Sequence, residues 1–250
     1  MQLWFCPLLA FVLGSIPFGL LMAKAKGIDI RKEGSGNIGA TNVLRVMGKK
    51  YGISCLLLDA LKGFLPTLLA INLIRFGGQP SGMLIGLLQP YAEVLPSDRQ
   101  FTAQLLQVVS GLCAILGHNY SPWVGFKGGK GIATSAGVVI ALMPAAIVIL
   151  LLFWYLLFVT TRYVSVASIS TVAILPLLTV GRSWYHGRIQ DGSWNKPLFA
   201  FSVIVAVLGI WKHRANIQRL RHGTENRFEK RQKTADAKTE EPKTEDRRQE

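Results

Sequence analysis

Residues Ile140–Val159 read IALMPAAIVILLLFWYLLFV, twenty consecutive positions with no charge and no polar stripe. A helix that is apolar all round belongs inside a large core or in a bilayer. At about 1.5 Å per residue, a run near 20 residues matches the roughly 30 Å hydrocarbon core of a membrane. A chain of 250 residues offers little else in which to bury it. The stretch closes a longer apolar run over about 132–159, and further runs cover 3–23, 52–74, 103–117, 164–180 and 197–211. Charges are packed into the short pieces between them. A hydrophobic half of the residues would suit many soluble domains; this distribution does not. The expected fold class is an all-α integral membrane protein.

Met1–Ala23 lacks a basic leader, contains Pro7 and Pro17, and offers no small-x-small cleavage site before Lys24. It reads as a retained span, not a signal peptide. Cys6, Cys55 and Cys113 all fall in apolar runs without metal-ligand spacing, and are expected as buried thiols.

Charge sets orientation. The loop 24–50 carries seven basic residues (Lys24, Lys26, Arg31, Lys32, Arg45, Lys49, Lys50) against Asp29 and Glu33. The loop around 118–131 adds Lys127 and Lys130, and the tail from Lys212 stays basic through Arg231, while 75–102 is balanced. By the positive-inside rule the first loop, the Lys127–Lys130 loop and the C-terminus face the cytoplasm, and the N-terminus and 75–102 face outward. That arrangement needs an odd number of spans, and six apolar runs are visible. Dividing 132–159 at Pro144 gives about seven transmembrane helices, some short. Residues 132–143 would cover only about 18 Å as a helix, which suits a half-helix or re-entrant segment lining a cavity. The expected organisation is a membrane domain over 1–229 with an external insert at about 77–100. Beyond it, 230–250 is expected as a disordered charged cytoplasmic tail, since it has almost nothing to bury.

Three polar stretches are denser in functional residue types than loops require. Gly34-Ser-Gly-Asn-Ile-Gly-Ala-Thr-Asn-Val-Leu-Arg45 contains G-x-G-x-x-G, with Asp59 twenty residues on from Gly39. A dinucleotide fingerprint follows a strand in a βαβ unit, and Asp59 sits in an apolar run, so that reading fails. What remains is a glycine-loosened turn entering a helix that Ser35, Asn37, Thr41 and Asn42 could cap, with an anion favoured at its N-terminus. Gly117–Thr134 places four glycines among the seven residues Gly125–Gly131 around Lys127 and Lys130. Glycines let backbone N–H groups close on an anion. Gly131 stands where a nucleotide loop needs Ser or Thr to hold magnesium, so that pattern fails too. In His213–Phe228, His213 and Asn216 share one helical face, and Gly223 would end the helix. His186–Asp191 has the His-x4-Asp form of the classical glycerolipid acyltransferases, and here it lies on the face expected outside, with no supporting motif.

Taken together, the three stretches resemble the acyl-phosphate-dependent glycerol-3-phosphate acyltransferases, the PlsY family of bacterial membrane enzymes. The matching residues are Gly34–Arg45; Gly117, His118 and Phe126–Thr134; and His213–Leu220 with Gly223–Glu225. Gly14–Gly19, Asp59, Lys62-Gly63 and Thr161–Tyr163 fit the family scaffold, and the likeness spans about 1–228. The resemblance implies a seven-helix membrane fold in the bacterial inner membrane. It implies attack of the sn-1 hydroxyl of glycerol 3-phosphate on a fatty acyl phosphate, giving lysophosphatidate and phosphate. Ser35, Arg45, His213 and Asn216 are the expected catalytic residues. Gly34, Gly36, Asn37, Gly39, Thr41, Asn42, His118, Lys127, Gly128, Gly129, Lys130 and Gly131 are expected to bind substrate, and Glu225 to be structural. Ser35 is read as a hydrogen-bonding ligand, because a mixed anhydride needs no protein nucleophile. No metal, other cofactor or nucleic acid is expected. The partners are the two phosphorylated substrates, membrane lipid and the enzyme that makes acyl phosphate. The competing reading is a transporter for a phosphorylated or anionic solute.

Overall fold

Proline and glycine cut the apolar runs into ten α-helices in the computed structural model, which describes residues 2–79 and 83–228. Helices α1 (Gln2–Gly14) and α2 (Phe18–Lys24) are halves of one apolar run, broken at Pro17, whose nitrogen has no hydrogen to donate. They are followed by α3 (Ala40–Met47), α4 (Lys49–Leu73), α5 (Gln100–Asn119) and α6 (Ile132–Leu142). Then come α7 (Pro144–Thr161), α8 (Val164–Tyr185), α9 (Lys196–Lys212) and α10 (Arg214–Arg221). The division at Pro144 is present: Met143, at φ −142°, separates α6 from α7, and Pro144 opens α7 where a missing N–H costs nothing.

Five segments are long and apolar enough to cross a membrane: Leu3–Lys24, Lys49–Leu73, Ser97–Val124, Pro144–Thr161 and Val164–Tyr185. A sixth is obtained if α9 and α10, bent by 53°, form one span. Helix α6, at 11 residues, is about 16 Å long and falls short. The count of seven is therefore not confirmed, and α6 is a short helix of the kind expected for 132–143.

Helix α4 packs against α1, α3, α5 and α6, while α5 packs on α1, α6 and α9. Lipid tails are as apolar as leucine, so membrane helices associate through small residues that let backbones approach. The α4–α6 contact uses this device. A Cβ on Gly63 would meet the Thr134 carbonyl oxygen, and one on Gly137 would meet that of Ala60. Short α6 is thereby held directly against α4, with its N-terminus at the Lys130 loop. Helix α7 is the opposite case. Only Ala146 and Leu150 are buried on it, whereas Ile149, Leu152, Leu156 and Val159 are exposed. This is the apolar-all-round stretch, and it turns most of its surface to lipid.

The insert is not a bare loop, although the fold remains helical in class. β1 (Ile74–Phe76) and β2 (Glu93–Leu95) pair in parallel, with Ile74 opposite Glu93 and Phe76 opposite Leu95. Asn72 on α4 accepts from the Ile85 N–H at 2.6 Å and donates to the Met83 carbonyl at 3.1 Å. Gln107 on α5 donates to the Ile74 carbonyl at 2.6 Å. Amides from the flanking spans thus pair backbone groups that would otherwise be buried alone. Cys6 and Cys55 are buried thiols, and Cys113 is half-buried. The tail 230–250 lies outside the described residues.

Candidate active site

The first wall is the loop between α2 and α3. Its ends are pinned by Ile30 and Ile38, both buried beside Leu20, Val43 and Cys55. Between these anchors the chain is shaped by one amide. Asn42 Oδ1 accepts from the Ser35 N–H at 2.8 Å, while its Nδ2 donates to the carbonyls of Glu33 at 3.0 Å and Ile30 at 3.3 Å. That leaves Asn42 folding the loop, with little capacity for a ligand. Gly34 (φ +60°) packs on the Asn42 side chain and Gly36 (φ +69°) lies against the Arg31 carbonyl, so both serve the turn and line neither cavity described below. Asn37 closes a local turn by accepting from the Gly39 N–H at 2.8 Å. The expectation that Ser35, Asn37, Thr41 or Asn42 caps α3 does not hold. Gly39 is the N-cap and no side chain caps the helix, so its N-terminus faces the cavity unblocked.

The second wall runs from the end of α5 to the start of α6. Here the loop folds back on the helix it left: Gly128 donates to the Asn119 carbonyl and Gly129 to the His118 carbonyl, both at 3.2 Å. A Cβ on Gly129 would meet His118 Nε2, so glycine is needed for that approach. Gly131, at φ +81°, is the N-cap of α6. The loop presents Lys130 inward and leaves Lys127 exposed, lining neither cavity described below. Lys127 is therefore not brought to the site.

The third wall is the α9–α10 bend. His213 Nδ1 lies 2.8 Å from the Gly209 carbonyl, an acceptor only, so Nδ1 carries the hydrogen and Nε2 is free to accept. Lys130 Nζ donates to Asn216 Oδ1 at 2.6 Å, and Asn216 Nδ2 donates to Glu225 Oε1 at 2.6 Å. Glu225 Oε2 takes Arg219 Nε at 2.8 Å. Burial pushes Lys130 down to about 8; Glu225 pulls the other way, and Arg219 and Arg45 reinforce the fall. Burial raises Glu225, but the hydrogen bonds from Asn216 and Arg219 outweigh it and hold it below the usual range. After Gly223 (φ +70°) the chain runs back over the site. The Phe228 N–H donates to the Arg162 carbonyl at 3.0 Å, and the Phe228 ring lies 5.7 Å from the Arg45 guanidinium.

These walls enclose two adjoining cavities. One, of about 290 Å³, is polar at one end, with Ser35, Arg45, Lys130, His213, Asn216 and Glu225. It continues between Val139, Leu150, Trp154, Val172, Leu175 and Val205. Asn37, Gly39, Thr41, Asn42, His118 and Gly131 also touch it. The second, of about 300 Å³, is lined by Gly128, Gly129, Lys130, Lys212, Arg214 and Arg219 among others. Ser35, Asn37, Lys130, Asn216 and Arg219 border both. Lys212, Trp154 and Ser165 were not expected at the site, and Arg214 and Arg219 belong to the His213–Leu220 stretch but carried no expected role. Arg219 lies three residues beyond Asn216, so helical spacing could have found it. No pattern marked Trp154, one of many apolar residues on α7. His186 and Asp191 border neither cavity, and Asp191 is taken up by Ser193 at 2.6 Å.

Residues 4–223 match the sequence profile of the glycerol-3-phosphate acyltransferase family. The chain belongs to that family. A glycerol-3-phosphate acyltransferase of Geobacter metallireducens is 44% identical over 219 residues, covering 88% of this chain and 94% of the relative. One from Aquifex aeolicus is 40% identical over 228 residues, covering 91% and 100%. Among solved structures, PlsY (YgiH), an integral membrane glycerol 3-phosphate acyltransferase, superposes in its glycerol 3-phosphate form with a TM-score of 0.70 at 35% identity. That match covers 92% of this chain and 96% of the solved one. The lysophosphatidic acid form of the same enzyme gives 0.68. With this likeness and its apolar helices, the chain is a multi-pass integral membrane acyltransferase. The transporter reading finds no counterpart in these relatives and is not carried forward.

Proposed function

We propose that this chain transfers a fatty acyl group from acyl phosphate to the sn-1 hydroxyl of glycerol 3-phosphate, releasing lysophosphatidate and inorganic phosphate. The observation that carries the reading is the pair of cavities, one running into apolar helices and one cationic, sharing Lys130 and Asn216 at their border. An acyl chain fits the first and a small phosphorylated alcohol the second. Two phosphates must meet without repelling each other. Arg45, Lys130 and Arg219 supply the opposing charge, with arginine suited to bidentate contact. The unblocked N-terminus of α3 and the Lys130–Gly131 backbone offer N–H groups to phosphate and to the developing oxyanion.

His213 Nε2 accepts a hydrogen bond from the attacking hydroxyl and orients it. The hydroxyl oxygen bonds to the acyl carbon, the carbon–oxygen bond to phosphate breaks, and the proton finishes on the released phosphate. Asn216 and Glu225 fix Lys130. Ser35 serves as a ligand for substrate. Among the described residues no hydrogen bond joins its hydroxyl to His213, as a covalent mechanism would use. Replacing Ser35 by alanine is expected to reduce kcat/KM by about tenfold, the worth of one or two hydrogen bonds. A trapped acyl-serine would overturn that role.

A cytoplasmic site and an outward N-terminus, read from the charge distribution, and the inner membrane, implied by the family, belong to the same proposal. The deciding assay is purified protein with glycerol 3-phosphate and palmitoyl phosphate, scored for lysophosphatidate. Acyl-CoA and acyl carrier protein thioesters are expected to fail as donors. Turnover with a thioester and none with palmitoyl phosphate would sink the reading.

A further inference from the structure

Three charged or titratable side chains sit where the membrane helices converge, outside the steps derived above. Lys62 and Asp59, one turn apart on α4, are 3% and 4% exposed and form an ion pair of 2.8 Å. Lys62 also donates to the Ile16 carbonyl at 2.7 Å, at the α1–α2 break, and its ammonium lies 5.6 Å from the centre of the Phe18 ring. The same Asp59 oxygen, Oδ1, faces His118 Nδ1 at 3.7 Å, while Oδ2 accepts from the Cys55 thiol at 3.7 Å. The opposite edge of that imidazole, Nε2, packs on Gly129, whose N–H is held by the His118 carbonyl. A continuous line of contacts therefore joins the break in the first span to the loop that carries Lys130.

A buried ion pair gives little or no net stability over a well-packed apolar pair, because both charges lose their water. Ionisable groups within membrane helices are accordingly rare and mark function. Structural need accounts for Lys62 in part, since it pairs the Ile16 carbonyl. It does not account for Asp59 being turned toward His118, nor for both residues bordering the cavity.

We propose that Asp59 and Lys62 are positioning residues for the Gly128–Lys130 segment, acting through the His118 imidazole. The inference rests on the acyltransferase reading of the site. Lys62 fixes the carboxylate, the carboxylate fixes the ring with Nδ1 toward it, and the ring edge sets the curve of the loop. A displaced ring would move the Gly128–Gly129 turn and, with it, Lys130. Misplacement of this kind, on the order of 1 Å, costs up to about 100-fold.

The test separates charge balance from positioning. Lys62→Met leaves Asp59 without its partner and is expected to lower the melting temperature of the purified protein. Asp59→Asn combined with Lys62→Met removes both charges and is expected to recover that temperature. The double variant should still show a Michaelis constant raised about tenfold or more for palmitoyl phosphate or glycerol 3-phosphate, with a smaller change in kcat. Asp59→Glu keeps the ion pair but shifts the carboxylate, and should raise the same constant in a protein of wild-type stability. Wild-type constants in the double variant, or in Asp59→Glu should the double variant not fold, would overturn the proposal. Failure of the wild-type protein to make lysophosphatidate would count against the function instead.

Discussion

Replacing Lys130 by methionine is expected to lower kcat/KM by about 10²–10³-fold, the range found when one preorganised electrostatic donor is removed from an active site. Lys130 borders both cavities, and Arg219, the other cation that borders both, is tied to Glu225 at 2.8 Å. Its charge is held by two neutral or acidic partners in series, Asn216 at 2.6 Å and then Glu225. Methionine keeps the length and apolar stem, so lost packing does not explain the fall. The same residue sets a pH limit. Burial brings Lys130 down to about 8 from an ordinary 10.5. Below about pH 8 it is charged and competent, and substrate affinity is expected to decline as pH rises through that value. Stability runs the other way. A lysine whose folded pKa lies below its unfolded one opposes folding while charged, so its contribution improves as pH climbs from about 8 toward 10.5. Michaelis constants and melting temperatures over pH 7–10, compared with Lys130→Met, check both trends. A pH profile of the Michaelis constants identical in the two proteins would exclude Lys130 as the titrating group.

His213→Ala is expected to reduce kcat by about 10²-fold, the cost of losing orientation of the attacking group, with a smaller effect on substrate affinity. The Gly209 carbonyl, 2.8 Å from Nδ1, leaves only Nε2 to meet the incoming hydroxyl. An asparagine or glutamine here would have to present its amide oxygen at the Nε2 position while its NH₂ kept the carbonyl bond. A partial rescue by glutamine is the expected sign of hydrogen-bond acceptance without proton transfer. The measurement is kcat at saturating glycerol 3-phosphate. An unchanged kcat with a raised Michaelis constant would move His213 from orienting the hydroxyl to holding the phosphate.

Some of the site could be read from residue order, and the rest depended on tertiary contacts. The three polar stretches do converge, because glycine runs and amide clusters are costly inside a membrane protein unless something uses them. Pro144 announced its break for the same local reason, the missing N–H. Lys127 and Lys130 looked equivalent in sequence, and only the folding of Gly128 and Gly129 onto α5 turns one inward and the other out. Asn42 was expected to touch substrate, yet three loop contacts occupy its amide. Capacity of that kind is invisible without coordinates. Asp59 and Lys62 showed as family scaffold residues, but their reach to Ile16 and His118 depends on how α1, α4 and α5 cross. Lys212 read only as the start of a basic tail, and Arg214 as a member of the third stretch without a role of its own. The fold was legible in class and in most breaks. The small parallel sheet was not, since three-residue strands leave no alternation to read.

The outward-facing surface of α7 has a kinetic meaning. Leu150, Leu151 and Trp154, which wall the apolar cavity, belong to the same helix whose other faces meet lipid. On the proposed reading, the acyl donor then reaches the enzyme by lateral diffusion, while glycerol 3-phosphate arrives from water. Concentration therefore has two dimensions for one substrate and three for the other. Diluting the donor with inert lipid at fixed total amount should slow the reaction, whereas enlarging the aqueous volume should matter only for the soluble partner.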